Sequence, residues 1–151
     1  VVRAGAGPTV QVLSAAGRDP VAMLPAGFTL RGNNLISADG SRAIAVNTDG
    51  QYVVCTIATP ACQPAPGLTD DDVIGGWSAD GQSVFALRPQ PMLVQVDRVD
   101  VASGRRSTWK VVRPLNPAVT GVRSFFVAPD GAMAYTYSRS RSELYVIKGL
   151  R

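Results

Sequence analysis

Three Asp-Gly steps, each set between apolar runs, constrain this chain more than any other feature. They lie in Ser37-Ala38-Asp39-Gly40-Ser41-Arg42-Ala43-Ile44, in Ser78-Ala79-Asp80-Gly81-Gln82-Ser83-Val84-Phe85 and in Ala128-Pro129-Asp130-Gly131-Ala132-Met133-Ala134-Tyr135. Gly takes positive φ without steric cost and Asp supports tight turns, so each unit reads as strand, turn, strand. The units align without gaps: Ile44, Phe85 and Tyr135 share position +5 from the Asp, and the small residues Ala45, Ala86 and Thr136 share position +6. Small +6 side chains would let strands approach closely where successive units converge. The 26 Pro and Gly residues (11 and 15) fall mostly between these runs and leave little room for helices, so the class is all-β.

The Asp residues stand 41 and 50 positions apart, too far for successive hairpins of a simple meander. Each interval has room for two more strands, which is the spacing of four-stranded propeller blades. After the second turn, Leu93 to Val101 alternates as a strand, Ala102-Ser103-Gly104 turns, and Thr108 to Val112 returns. The first interval supplies Gln51 to Ile57, a turn at Thr59-Pro60 and a Pro-rich exit. Val10 to Leu13, a turn at Ala15-Ala16-Gly17 and Val21 to Leu24 read as the second half of a blade, and Glu143 to Ile147 as a third strand without a fourth. The expected organisation is a β-propeller segment of about three antiparallel four-stranded blades. It comprises a half blade over 9–27, blades over 33–68 and 73–113, and a partial blade over 121–148. About thirteen strands are too few for a ring of four to eight blades. Either a longer parent chain completes a ring of six to eight blades, or two copies close around a twofold axis.

Composition narrows the function. The chain has 151 residues, 46% of them apolar and 17% charged, with a net charge of +4. It should fold, and its Arg residues are scattered rather than clustered, so neither disorder nor nucleic-acid binding is indicated. No stretch approaches the length of a membrane span, and Val1 in place of Met suggests a processed or excised piece. The complete absence of His removes the commonest general base and metal ligand, and no Gly-x-Ser-x-Gly elbow is present. The chain is therefore expected to be non-catalytic and to need no cofactor or metal.

The Ser-Ala-Asp-Gly and Ala-Pro-Asp-Gly turns resemble the WD40-like, TolB-type propeller repeat, whose core reads Ser-Pro-Asp-Gly-Lys before an apolar strand. Only the third unit has the Pro. From Leu35 through Trp77-Ser78-Ala79-Asp80-Gly81 to Glu143-Leu144-Tyr145-Val146-Ile147-Lys148-Gly149-Leu150, the chain is similar to the carboxyl-terminal region of membrane-anchored bacterial serine/threonine kinases. That resemblance implies an extracytoplasmic sensory propeller, periplasmic or at the cell surface, that binds a protein or peptide partner. No kinase signature occurs in this sequence. The alternative is a propeller segment that gates or scaffolds a hydrolase, or belongs to a TolB-like envelope protein.

Individual residues add modest expectations. Asp39-Gly40, Asp80-Gly81 and Asp130-Gly131 are structural turns rather than cation ligands. Asp70-Asp71-Asp72 reads as a solvated loop, since adjacent carboxylates rarely converge on one ion. Trp77, Phe125 and Phe126 are expected in the core. Trp109, with Arg105 and Arg106 on an outer strand, is the best candidate recognition surface, although charged edge protection is the favoured explanation. Arg139 and Arg141 suit a solvated hairpin tip. Cys55 and Cys62 leave two alternatives, a local disulfide or two buried thiols. The strand-turn-strand path between them favours the bridge in an oxidising compartment, where it would contribute about 2 kcal/mol.

Overall fold

The computed structural model describes residues 2–4, 10–13, 20–59, 61–90, 93–113, 119–139 and 141. Among the described residues, twelve strands form four antiparallel sheets and no helix occurs. The first sheet joins β1 (Val2–Ala4), β2 (Val10–Leu13) and β3 (Pro20–Met23). The second joins β4 (Arg42–Val46), β5 (Tyr52–Thr56) and β6 (Cys62–Pro64). The third has four strands: β7 (Val73–Trp77), β8 (Ser83–Gln90), β9 (Leu93–Asp100) and β10 (Arg106–Val112). The fourth pairs β11 (Val119–Val127) with β12 (Met133–Arg139). Within every sheet, strands pair in chain order.

The third sheet is covered on both faces. Val84, Ala86 and Val99 pack with Ile44, Val46 and Trp77 toward the second sheet, while Phe85, Leu87, Val94 and Val96 pack with Phe125 and Val127 toward the fourth. Burial on both faces explains why Val84 to Leu87 is continuously apolar instead of alternating with polar residues. Leu24, Ala45, Val53 and Cys55 form a further cluster, and Val12, Ala43 and Ile57 join the first sheet to the second. Each large side chain buried in these layers contributes about 1.5–3 kcal/mol.

Three sequence expectations change. The amino-terminal unit is not half a blade, because β1 gives it a third strand. The second sheet has three named strands instead of four; residues ahead of its turn meet β4 only through the isolated bridges Thr29↔Val46 and Ile36↔Ala43. Between those bridges the chain turns to the third sheet instead. Gly32 bridges Ile74 in parallel, and the Asn33 N–H donates to the Ile74 carbonyl at 2.8 Å. A Cβ at Gly32 would overlap the Ile74 carbonyl, and one at Gly76 would overlap that of Val127. These two backbone approaches thus lie ahead of the first and second turns. The expected turns at 15–17 and at Pro60 and the expected strand 143–147 lie wholly or partly outside the described residues.

The three turns correct the gapless alignment. In each, the Gly N–H donates to the carbonyl three residues earlier, and Gly40, Gly81 and Gly131 have φ of 71°, 63° and 85°. The hairpins then close differently: Ser37 N–H bonds Arg42 and Ser78 N–H bonds Ser83, but Ala128 N–H bonds Ala132, one residue sooner. In the first two turns the Ser hydroxyl donates to the Asp carboxylate and accepts the N–H of Arg42 or Ser83. Ala128 has no hydroxyl to occupy that place. A one-residue change in closure exchanges the faces of the following strand. Phe85 therefore faces the next sheet along the chain, whereas Tyr135 pairs with Phe125 on the face turned toward the preceding one.

Candidate functional site

A groove of about 410 Å³ opens at the turn end of the sheets. The stretch before the first turn contributes Asn34, Ile36 and Ala38, β7 contributes Trp77, and the third turn contributes Val127 and Pro129. Its floor is fixed by long-range bonds. Trp77 is buried and donates its indole N–H to the Leu35 carbonyl at 3.0 Å, and the Asn33 carboxamide donates to the Phe125 carbonyl at 3.1 Å. The Arg42 guanidinium lies 5.4 Å from the Trp77 ring centre and donates to the Gly81 carbonyl. Asn34 has φ of 49°, a left-handed conformation rare outside Gly but tolerated by Asn. Strain of this kind concentrates where a chain is held in place by its surroundings. Ladder bonds from Ser37 N–H and Ile44 N–H flank the Ile36 bridge, so the N–H and C=O of Ile36 point away from β4.

The turn carboxylates are committed to their own loops. The Ser37 hydroxyl, at 2.5 Å, and then the Ser41 hydroxyl and N–H hold Asp39 well below the usual carboxylate range. The Ser78 hydroxyl at 2.6 Å and the Gln82 N–H lower Asp80, which also pairs with Arg98 at 2.9 Å. Asp130 accepts the Ala132 N–H at 2.9 Å. Among the described residues, no group of three or more His, Cys, Asp or Glu is arranged to hold a metal ion.

The Asp70-Asp71-Asp72 loop departs from expectation, because Asp72 is fully buried. Its Oδ2 accepts the Thr69 N–H and hydroxyl, and its Oδ1 meets Arg106 at 2.5 Å and Arg88 at 3.4 Å. Arg106 also pairs with buried Asp97 at 2.8 Å and donates to the Gly67 carbonyl at 2.9 Å. The Tyr52 hydroxyl donates to the Asp72 carbonyl at 2.7 Å, and burial pushes its phenol up to about 12. This network ties the 65–72 loop to β9 and β10. Desolvation offsets much of its Coulomb energy, but removing one partner would strand a buried charge.

The proposed recognition trio is accordingly divided. Arg105 is exposed, Arg106 is engaged in the buried network, and Trp109 is half-buried, with its ring 4.6 Å from that of Phe85. Trp77 and Phe125 are in the core, but Phe126 is 40% exposed because it points from β11 away from the third sheet. Arg139 ends β12, and both it and Arg141 are exposed; Ser140 and Ser142 are outside the described residues. A disulfide joins Cys55 to Cys62, with Cα atoms 4.0 Å apart.

Sequence reasoning overlooked the groove and the ion network. Gly32-Asn33-Asn34 was a legible sign of left-handed backbone. Asp97, set among Val94, Val96 and Val99, was a legible sign of a buried acid needing a cationic partner. No protein-family model matches the chain, and a search of curated proteins finds no match either.

Proposed function

We propose that the chain is a non-catalytic recognition module built from consecutive blades of a β-propeller. By motif it resembles the extracytoplasmic carboxyl-terminal region of bacterial receptor-type serine/threonine kinases. The supporting observation is the layering: chain-ordered antiparallel sheets pack face to face, and the backbone before the first and second turns reaches the next sheet at Gly32 and Gly76. That arrangement places two turns and the groove at one end, with Asn34 and the outward-pointing Ile36 backbone on its wall. Such a wall suits an extended peptide segment of a protein partner, which can offer backbone groups as well as apolar side chains.

The test is binding of the purified chain to an array of extended peptides, compared with an Ala38→Arg variant that obstructs the groove. Peptide binding lost in the variant, with its circular dichroism unchanged, is expected. Reproducible turnover of esterase, peptidase, glycosidase or phosphatase substrates, abolished by a point substitution, would overturn the reading. Reading the parent gene tests the receptor assignment: a kinase domain and membrane span are expected, and an α/β-hydrolase domain would replace sensing with gating.

A further inference from the structure

The edge strand β6 is only three residues long, Cys62 and its neighbours are half-buried or exposed, and Pro64 can donate no ladder bond. Its ladder with β5 comprises the Thr56–Ala61 and Tyr52–Ala65 bonds and, by antiparallel alternation, the Val54–Gln63 pair between them. A surface pocket of about 220 Å³ lies beside Tyr52, Pro64 and Leu68 where the chain leaves β6, and Ala65 next along is buried in the core. Two anchors therefore hold this stretch. One is the disulfide, whose Cys55 end is fully buried against Leu24, Ala45 and Val53. The other begins at buried Ala65 and continues through the Arg106 bond to the Gly67 carbonyl.

We propose that the Cys55–Cys62 disulfide is a redox-operated clamp, and that its reduction by a dithiol releases β6 and opens the edge of β5 while the rest of the fold stays closed. The chemistry starts at Cys62, the less buried sulfur. A thiolate of the dithiol attacks Cys62 Sγ, the S–S bond breaks, and Cys55 leaves as a thiolate that takes up a proton, since its surroundings disfavour charge. The second thiol of the dithiol then displaces Cys62, giving a cyclic disulfide of the reductant and two protein thiols. Cys55 stays in the core as a small apolar residue, whereas Cys62 can leave with β6. The freed N–H and C=O groups of Val54 and Thr56 form a short edge open to an added strand. Opening stops at Ala65, where the second anchor is intact.

Residue-resolved hydrogen exchange of the whole chain, with and without dithiothreitol, tests the clamp. Exchange at Val54, Thr56 and Gln63 is expected to accelerate roughly 30-fold on reduction, with Val84, Val96 and Val99 unchanged and protection restored on reoxidation. A Cys55→Ala/Cys62→Ala double variant should show the same pattern without reductant. Unchanged exchange at the three β5–β6 amides would overturn the proposal. So would equal acceleration throughout β8 and β9, or a double variant that fails to fold, because the disulfide would then support the entire structure.

Discussion

The turn at Ser78 and the turn at Ala128 share an Asp-Gly step and a positive-φ Gly, yet they place the strands that follow in opposite phase. In the first, a hydroxyl lodged between the Asp80 carboxylate and the Ser83 N–H holds the hairpin open by one more residue. In the second, the methyl of Ala128 offers neither bond, and closure comes at Ala132. The +5 aromatic is 5% exposed at Phe85, on a strand covered by the fourth sheet, and 37% exposed at Tyr135. A repeat can thus preserve its visible signature while one unmarked atom reassigns every side chain downstream.

The largest effect expected from this difference is in stability. Phe85→Ala should cost about 3–5 kcal/mol in urea unfolding, whereas Tyr135→Ala at the aligned position should cost about 1 kcal/mol. Equal costs would mean that the two units are equivalent after all. Arg106→Met leaves Asp72 and Asp97 without their shared partner and should cost about 3 kcal/mol by the same measurement. The fourth sheet has no corresponding network among its described residues, so an Arg139→Met change should cost less than about 0.5 kcal/mol.

Smaller effects separate the turns themselves. Ser78→Ala removes the hydroxyl that accepts the Ser83 N–H and should destabilise by about 1–2 kcal/mol. Ala128→Ser, in a loop that has already closed without the hydroxyl, should stay within about 0.5 kcal/mol. The smallest effect is electrostatic. Asp39 and Asp80 have lowered folded-state pKa values, so their contribution is complete above the ordinary carboxylate pKa of about 4 and is lost as pH falls through their own lower values. Carbon-13 titration of the side-chain carboxyls should show Asp80 rising toward the ordinary value in Ser78→Ala. An unmoved Asp80 would remove the hydroxyl from the explanation.

Much of this architecture was legible because it depends on local chemistry. The Asp-Gly turns, the alternation from Leu93 to Asp100 and the apolar run from Val84 to Leu87 mark strands from residue type alone. The interruption at Gly32 was harder to read, since its cause is the Ile74 carbonyl 42 positions along the chain. Burial of Asp72 depends likewise on Arg106, 34 positions away, so three consecutive acids looked like a solvated loop. The groove is further still from sequence patterning, because it exists only where the stretch before one turn, the end of β7 and another turn come together. The change at residue 128 was visible as Ala in place of Ser, but its consequence required knowing what the hydroxyl holds.

Cross-strand nuclear Overhauser effects across the third turn distinguish the two registers, because Hα atoms of non-hydrogen-bonded antiparallel pairs lie close together. Hα–Hα effects are expected between Val127 and Met133 and between Phe125 and Tyr135, beside a Trp77–Val84 effect at the second turn. An effect between Val127 and Ala134 in place of Val127–Met133 would restore the gapless register and contradict the role assigned to the Ser hydroxyl.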